Sequence, residues 1–374
     1  MVIVGLFYSG NITKDCVGLE SFFASGSPLM STLGNIKLLA YLHVLKIPNP
    51  GHFWYIQILM RALPVFLFFL INISAPAQEM LTYRPKISEF SLEGISSYEV
   101  TSTKRNNETN YTIDRDRLIK LRLGVPVILK EKTLFGVQLK YFKQSFNNNS
   151  FISKPDPLFT HLNENPLTNA GLNFLYQRKI SETRKFSLMG VTEIASDNWE
   201  LHRSTTRNLL AGEYSIQLNP QTAIAYGGVI NNALGIWNIY PTFTYKKQLT
   251  SKILLEATLP KSINWRYHLN EKTFFIFQTE FNNWRYNVTN ALPNEARLLT
   301  VQRADVYFKL QLEREIHDWL WFGVDLAYIN NLSSFIVNPG DRQRKAIQEY
   351  DLTNSSYFRI SLFLLPPEKL WNRL

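Results

Sequence analysis

The chain has 374 residues, 45% of them hydrophobic, a single cysteine and a formal net charge of +10. One cysteine excludes a disulfide framework. The positive residues alternate with apolar ones instead of clustering on one helix or loop, which excludes a nucleic-acid-binding patch.

The first readable element is residues 60–77, MRALPVFLFFLINISAPA. A Met, one positive charge at Arg61 and an apolar run of about a dozen residues lead to the small-residue site Ala75, Pro76, Ala77, followed by Gln78. That is the layout of a secretory signal peptide with cleavage between Ala77 and Gln78. The run is shorter than the roughly 20 residues a membrane-spanning helix needs. Joining it to the preceding apolar stretch would bury Arg61 in the membrane, at about 2.5–3.5 kcal/mol. Residues 1–59 show no periodicity and are read as a non-native or disordered leader before the true start at Met60. Cys16 lies in that leader, so the exported chain lacks thiol chemistry.

From residue 78 onward no run approaches 18 apolar residues, and the recurring period is two. Ile119, Leu121, Leu123, Val125 and Val127 alternate with Lys120, Arg122 and Gly124. Later, Ala304, Val306, Phe308, Leu310 and Leu312 oppose Arg303, Asp305, Lys309, Gln311 and Glu313. Side chains of a strand alternate across its sheet, so each segment has one apolar and one charged face. The expected strands are 87–100, 114–129, 133–146, 168–180, 184–196, 205–218, 222–231, 236–248, 252–259, 263–269, 273–286, 300–315, 319–330 and 355–365.

Their connections alternate in length. Tight polar turns such as Lys130-Glu131-Lys132 and Asn219-Pro220-Gln221 interleave with longer segments at 101–113, 147–167, 197–204, 287–299 and 331–354. Short periplasmic turns and long extracellular loops are the habit of outer-membrane barrels. The expected fold is therefore all-β: a transmembrane antiparallel up-and-down β-barrel of about 14 strands, within 12–16, preceded by a signal peptide and spanning 78–374. The parity puts both mature termini in the periplasm. Trp199, Trp237, Trp265, Trp284, Trp319 and Trp321 fall near strand ends, where an interfacial girdle sits. In hydrocarbon every backbone polar group must be paired, so the sheet must close.

The layout resembles the uncharacterised outer-membrane β-barrel families of Bacteroidota, described as domains of unknown function. The resemblance is carried by Pro76-Ala77-Gln78, by the strand Ile239-Tyr240-Pro241-Thr242-Phe243-Thr244-Tyr245, and by Leu259-Pro260 followed by Trp265-Arg266-Tyr267. It implies a barrel and an outer-membrane location and no activity. The chain departs from many bacterial barrels by running past its last strand through Pro366-Pro367 to Leu374 instead of ending on an aromatic.

The inward set expected from the alternation is Lys120, Arg122, Gln138, Lys140, Glu193, Glu213, Gln278, Glu280, Arg303, Asp305, Lys309, Glu313, Asp325 and Arg359. Both signs are present. These residues either line an aqueous path or pair across the interior as a polar plug. Strand number favours a lumen wide enough for water or a ligand. His161, His202, His268 and His317 are the histidines beyond residue 78. None stands at a diagnostic distance from a nucleophile, no metal-binding spacing occurs, and neither catalysis nor a cofactor is expected. The expected function is a passive channel or a transporter of small or hydrophobic solutes. The alternatives are a closed structural or surface-binding barrel and, behind it, a barrel enzyme acting on lipid. The expected partners are outer-membrane lipid and the barrel-assembly machinery, without nucleic acid, and the chain is expected to be a monomer.

Overall fold

A computed structural model describes residues 84–102, 110–147, 156–199, 205–293 and 295–367. The leader, the signal segment with Ala75, Ala77 and Gln78, and His202 lie outside the described residues.

The alternating segments form one sheet of seventeen strands. In chain order they are β1 (Ser88–Ile95), β2 (Tyr98–Ser102), β3 (Asn110–Ile113), β4 (Arg115–Lys130), β5 (Thr133–Asn147), β6 (Leu167–Ser181), β7 (Arg184–Ser196), β8 (Thr206–Asn219), β9 (Thr222–Ala233), β10 (Ile236–Thr250), β11 (Ile253–Leu259), β12 (Ser262–Asn270), β13 (Thr273–Thr289), β14 (Leu298–His317), β15 (Leu320–Val337), β16 (Gln348–Leu352) and β17 (Ser355–Leu364). Fourteen of them, β1, β4 through β15 and β17, are the staves of a closed antiparallel barrel. Closure runs through β1, which pairs with β17 from Ser88↔Leu364 to Ile95↔Tyr357 and with β4 on its other side. The fourteen staves are the fourteen expected strands. No helix of the described residues is long and apolar enough to cross a membrane.

The outer face is apolar. Phe90, Leu92, Leu123, Val125, Leu139, Phe277, Leu310, Leu326, Phe358 and Ile360 are all exposed on it. Glu89, Ser91, Asp325 and Ser361, their sequence neighbours, are buried inside, as are Arg303, Asp305 and Glu313. That is the inverse of a soluble protein: period-two alternation supplies the two faces, and the barrel turns the charged one inward.

One rim, the terminal end, carries the start of β1, the end of β17 and six short turns; the two-residue β9–β10 and β11–β12 turns point toward the other rim and break the expected alternation of connection lengths. The opposite rim, the loop end, holds structure that the alternation did not predict. The expected strand 87–100 is two strands, β1 and its extension β2. β3 and β16 lie within connections read as loops, and β16–β2–β3 continue the wall beyond the staves. A helix, α1 (Pro157–Glu164), sits inside the connection 147–167. Pro157 opens it, and Asp156 caps it by accepting from the Leu158 N–H at 2.9 Å. A single two-turn helix has too few residues to declare a period.

Two tryptophans leave the expected girdle. Trp321 is buried on the inner face against Phe363 and Phe274. Trp284 packs on the interior core of the loop end. Strand-end position alone does not say which face a residue takes. Trp199, Trp237 and Trp319 are exposed.

Candidate functional site: the barrel interior

The interior is best followed down the inward residues of β14, from the loop end. Val301 lies in a dry core with Leu299, Tyr98, Val100, Tyr111, Ile113, Phe146, Leu167, Val288 and Ile336. α1 supplies Leu158, Phe159 and Leu162 to the same core, with Phe159 against the Tyr111 and Tyr350 rings at 5.5 and 5.4 Å. His161 Nε2 lies 2.7 Å from Asp197 Oδ2, which also accepts the Thr289 N–H at 2.8 Å. The helix is thereby tied to the ends of both β7 and β13. Those two staves, well separated around the ring, touch: Asn287 pairs in parallel with Ser196. The loop end is closed over this part of the barrel by apolar packing.

Next on β14 is Arg303. Its Nε donates to Asp305 at 3.0 Å, and one Nη donates to the Tyr98 hydroxyl at 3.3 Å and lies 3.9 Å from Asp116. Asp116 also accepts from Tyr98 and from Gln144, and Asp305 from Asn331. One guanidinium thus serves two buried carboxylates. Tyr307 follows, edge-on to Tyr357 at 5.5 Å over Ile329.

Below that layer the charges interlock. Lys309 pairs with Glu280. Gln311 donates to Gln278 at 3.0 Å and to Asp325 at 3.2 Å. Arg359 bridges Asp325 at 2.8 Å and Glu89 at 3.3 Å, Arg122 reaches Glu89 at 3.1 Å, and Lys120 pairs with Glu93 at 2.8 Å. At the terminal end Lys86 pairs with Glu313 at 2.7 Å and lies 3.9 Å over the Phe363 ring. Arg84 reaches Asp318 and the Pro366 carbonyl there.

A second group sits on β5 to β8 and adjoins this lattice at Phe142, whose ring Lys120, Arg122 and Lys140 approach at 5.5, 5.3 and 5.2 Å. Glu193 pairs with both Lys140 and Arg207. Lys140 is on β5 and Glu193 on β7, with β6 between them. The register places Gly171 between the two residues. A Cβ on Gly171 would stand 2.3 Å from the Thr192 carbonyl oxygen and 2.5 Å from the Glu193 Cβ. Gly171→Ala is therefore expected to cost about 1–3 kcal/mol, the range for overpacking. Urea unfolding in detergent micelles or lipid checks it, and an unchanged midpoint would show that the two strands yield at no cost. Glu213, on β8, accepts from Thr244 at 3.1 Å. It lines a cleft of about 150 Å³ with Lys185, Ser187, Ser215, Ala225 and Lys246.

The structure thus brings Lys120, Arg122, Arg359, Asp325, Lys309, Glu280, Gln278 and Glu313 into one region of the inner face. Lys140 with Glu193 adjoins that region at the Phe142 ring, Arg303 with Asp305 forms a group of its own, and Glu213 stands apart at the cleft. Gln138 bonds the Ile87 carbonyl and Asn173. Sequence reasoning passed over Glu89, Glu93, Asp116 and Arg207, and it read Gln311 on the polar face of its strand without counting it in the inward set. The alternation Glu89-Phe90-Ser91-Leu92-Glu93 was readable by the same rule, as was Gln311 between Lys309 and Glu313. Arg207 shares the parity of Glu213 in the expected strand 205–218, but the run Leu209-Leu210-Ala211-Gly212 between them breaks the apolar–polar alternation. Among the described residues no group of three or more His, Cys, Asp or Glu could hold a metal ion.

A family model described as a domain of unknown function, DUF6268, matches residues 89–329. The chain belongs to the DUF6268 family. The matched span begins at Glu89 and takes in β4 through β14, with Arg303, Asp116 and Asp305. Among curated protein sequences none matches the chain. Similar solved structures include a Pseudomonas aeruginosa FadL homologue, at 8% identity and a TM-score of 0.39, covering 75% of this chain and 90% of that one. The Pseudomonas putida toluene transporter TodX is similar at 9% identity and a TM-score of 0.33, covering 78% and 92%. Outer membrane phospholipase A from Escherichia coli is similar at 9% and 0.27, covering 76% and 98%. Scores this low say nothing about solutes or chemistry, which this DUF6268 chain's own geometry must decide.

Proposed function

We propose that this chain is an outer-membrane barrel that transports small or apolar solutes without forming a wide aqueous pore along its axis. The observation that carries the reading is the dry core at the loop end, set above a charged interior and inside an apolar outer face. A closed sheet with an apolar outside suits lipid, because β1 pairs on both of its sides and the ring has no seam there. A water-filled channel needs a continuous polar path, and the packed side chains around Val301 and Leu158 interrupt it. The terminal-end turns and both termini face the periplasm in this reading, lipid and the barrel-assembly machinery are the chain's partners, and the barrel acts as a monomer.

The ion-pair lattice around Arg359 favours a second reading, a closed barrel whose charges hold its shape and whose rim serves as a surface. Reconstituted vesicles separate the two. The transport reading expects faster entry of a small apolar or amphiphilic solute than into protein-free vesicles, with only small conductance in planar bilayers. Equal entry rates would remove it and leave the closed barrel.

A further inference from the structure

Two staves are short. β11 and β12 have 7 and 9 residues, against 15 in β10 and 17 in β13. β10 has β11 partners only from Phe243 onward, so its residues 236–242 have a strand on the β9 side alone. β13 has β12 partners only up to Glu280. Above the β11–β12 turn, among the described residues, the wall between β10 and β13 has no strand.

The missing wall is within the apolar belt. Trp237 and Ile239 belong to the unpartnered stretch and are 65% and 78% exposed on the outer face. Half of a strand's backbone groups point to each side, so residues 236–242 turn several amides toward the gap. Lipid cannot satisfy those groups. Pro241 stands in this stretch, and proline is tolerated at strand edges.

The gap is framed on every side. β13 does not cross it; its end turns inward to meet β7 at Ser196, and Arg207 of β8 donates to the Arg285 carbonyl at 3.1 Å. The segment 338–347 spans the top. Gly340 N–H donates to the Leu234 carbonyl at 3.2 Å, and Arg285 Nη2 donates to the Asp341 carbonyl at 2.9 Å. Both Gly235 and Gly340 have positive φ, and a Cβ on Gly235 would stand 3.1 Å from the Gly340 Cα. The strap approaches the β9–β10 turn closely because Gly235 has no side chain, and the positive φ of Gly340 favours glycine there too.

Behind the frame the inner face changes character. By register, Ala211 lies beside Val229 and Tyr240, and Ser215 beside Ala225 and Thr244. This small, largely uncharged wall leads down to the cleft at Glu213 and Lys246. The far wall, on β1, β14, β15 and β17, is the charged lattice.

The geometry points to a lateral window between β10 and β13, through which a single-chain amphiphile passes between the membrane and the β8–β10 side of the lumen. The inference rests on the transport reading and supplies its route: the tail tracks the small wall and the polar head reaches the cleft. The backbone amides of residues 236–242 are solvated by the passing head or by water.

Single-cysteine labelling tests it, in a full chain with Cys16→Ser as background. Ala211→Cys places a thiol behind the window, and Ser187→Cys places one at the cleft toward the terminal end. A dodecyl maleimide dissolved in the vesicle membrane is compared with an anionic, water-soluble maleimide. The expected result is at least tenfold preference for the dodecyl reagent at Ala211→Cys and the reverse preference at Ser187→Cys. Adding Thr242→Trp at the frame should slow dodecyl labelling at Ala211→Cys at least fivefold and leave aqueous labelling at Ser187→Cys unchanged. Aqueous preference at both sites, or no effect of Thr242→Trp in a folded barrel, overturns the window. Vesicle entry that equals the protein-free rate overturns transport separately, and the labelling still decides whether the wall is open to lipid.

Discussion

Replacing Arg303 with alanine should destabilise the barrel by about 3–5 kcal/mol, the range for breaking a buried ion pair by removing one partner. The guanidinium is 3% exposed and is the cation shared by Asp116 and Asp305, which are each 1% exposed. Removing it leaves two buried carboxylates without their shared cation under a dry core, with Tyr98, Gln144 and Asn331 as the remaining donors among the described residues. The desolvation cost of the acids, not the lost contact itself, sets the size of the effect. Arg303→Lys should recover part of it, because an ammonium supplies charge but cannot reproduce the fork that serves Asp305 and Tyr98 together. The triple change Arg303→Met, Asp116→Asn, Asp305→Asn should lie close to the parent, since no uncompensated charge remains. Urea-induced unfolding of the lipid-inserted barrel reads all three. A loss below about 1 kcal/mol for Arg303→Ala would mean that water reaches the site, and the dry-core description would fail with it.

The second large effect concerns the loop end. Leu158, Phe159 and Leu162 anchor α1 in the core, and each is at most 5% exposed. Large-to-alanine truncations in a core cost about 2–5 kcal/mol each. The staves are held by their own ladders, so the loss should fall on docking of the helix and not on closure of the barrel. Leu158→Ala, Phe159→Ala, Leu162→Ala is therefore expected to keep its strand signal in circular dichroism while planar-bilayer conductance rises severalfold above the parent. His161 and Asp156 lose their purpose together, because His161–Asp197 and Asp156–Gln348 hold the same helix. If conductance stays at the parent level while the helix is shown by protease nicking to be released, the seal lies deeper, at the charged lattice. The axial route would then be shut by ion pairs and not by apolar packing.

The two variants probe different parts of one arrangement. Arg303 sits directly beneath the core that α1 completes, and Tyr98 belongs to both. Their effects on stability are expected to couple, since residues sharing a partner do not add. Releasing α1 also frees the end of β13 that frames the window, so only Arg303→Ala is expected to leave dodecyl labelling at Ala211→Cys unchanged.

Much of the molecule was determined by the sequence alone. Period-two alternation states which residues share a face, and it placed all fourteen staves. It also assigned Lys120, Arg359 and Asp325 to the face opposite Ile119, Ile360 and Leu326, because a strand offers only two faces. What the alternation cannot carry is contact between staves that are not adjacent in sequence. That Arg303 meets Asp116, that Gly171 leaves a path from Lys140 to Glu193, and that β13 turns in to β7 were decided only by closure of the ring, which sets register and stagger together. The same holds for the window. The short spans of β11 and β12 are visible as short runs, but a short strand becomes a gap only when long neighbours stand on both sides of it.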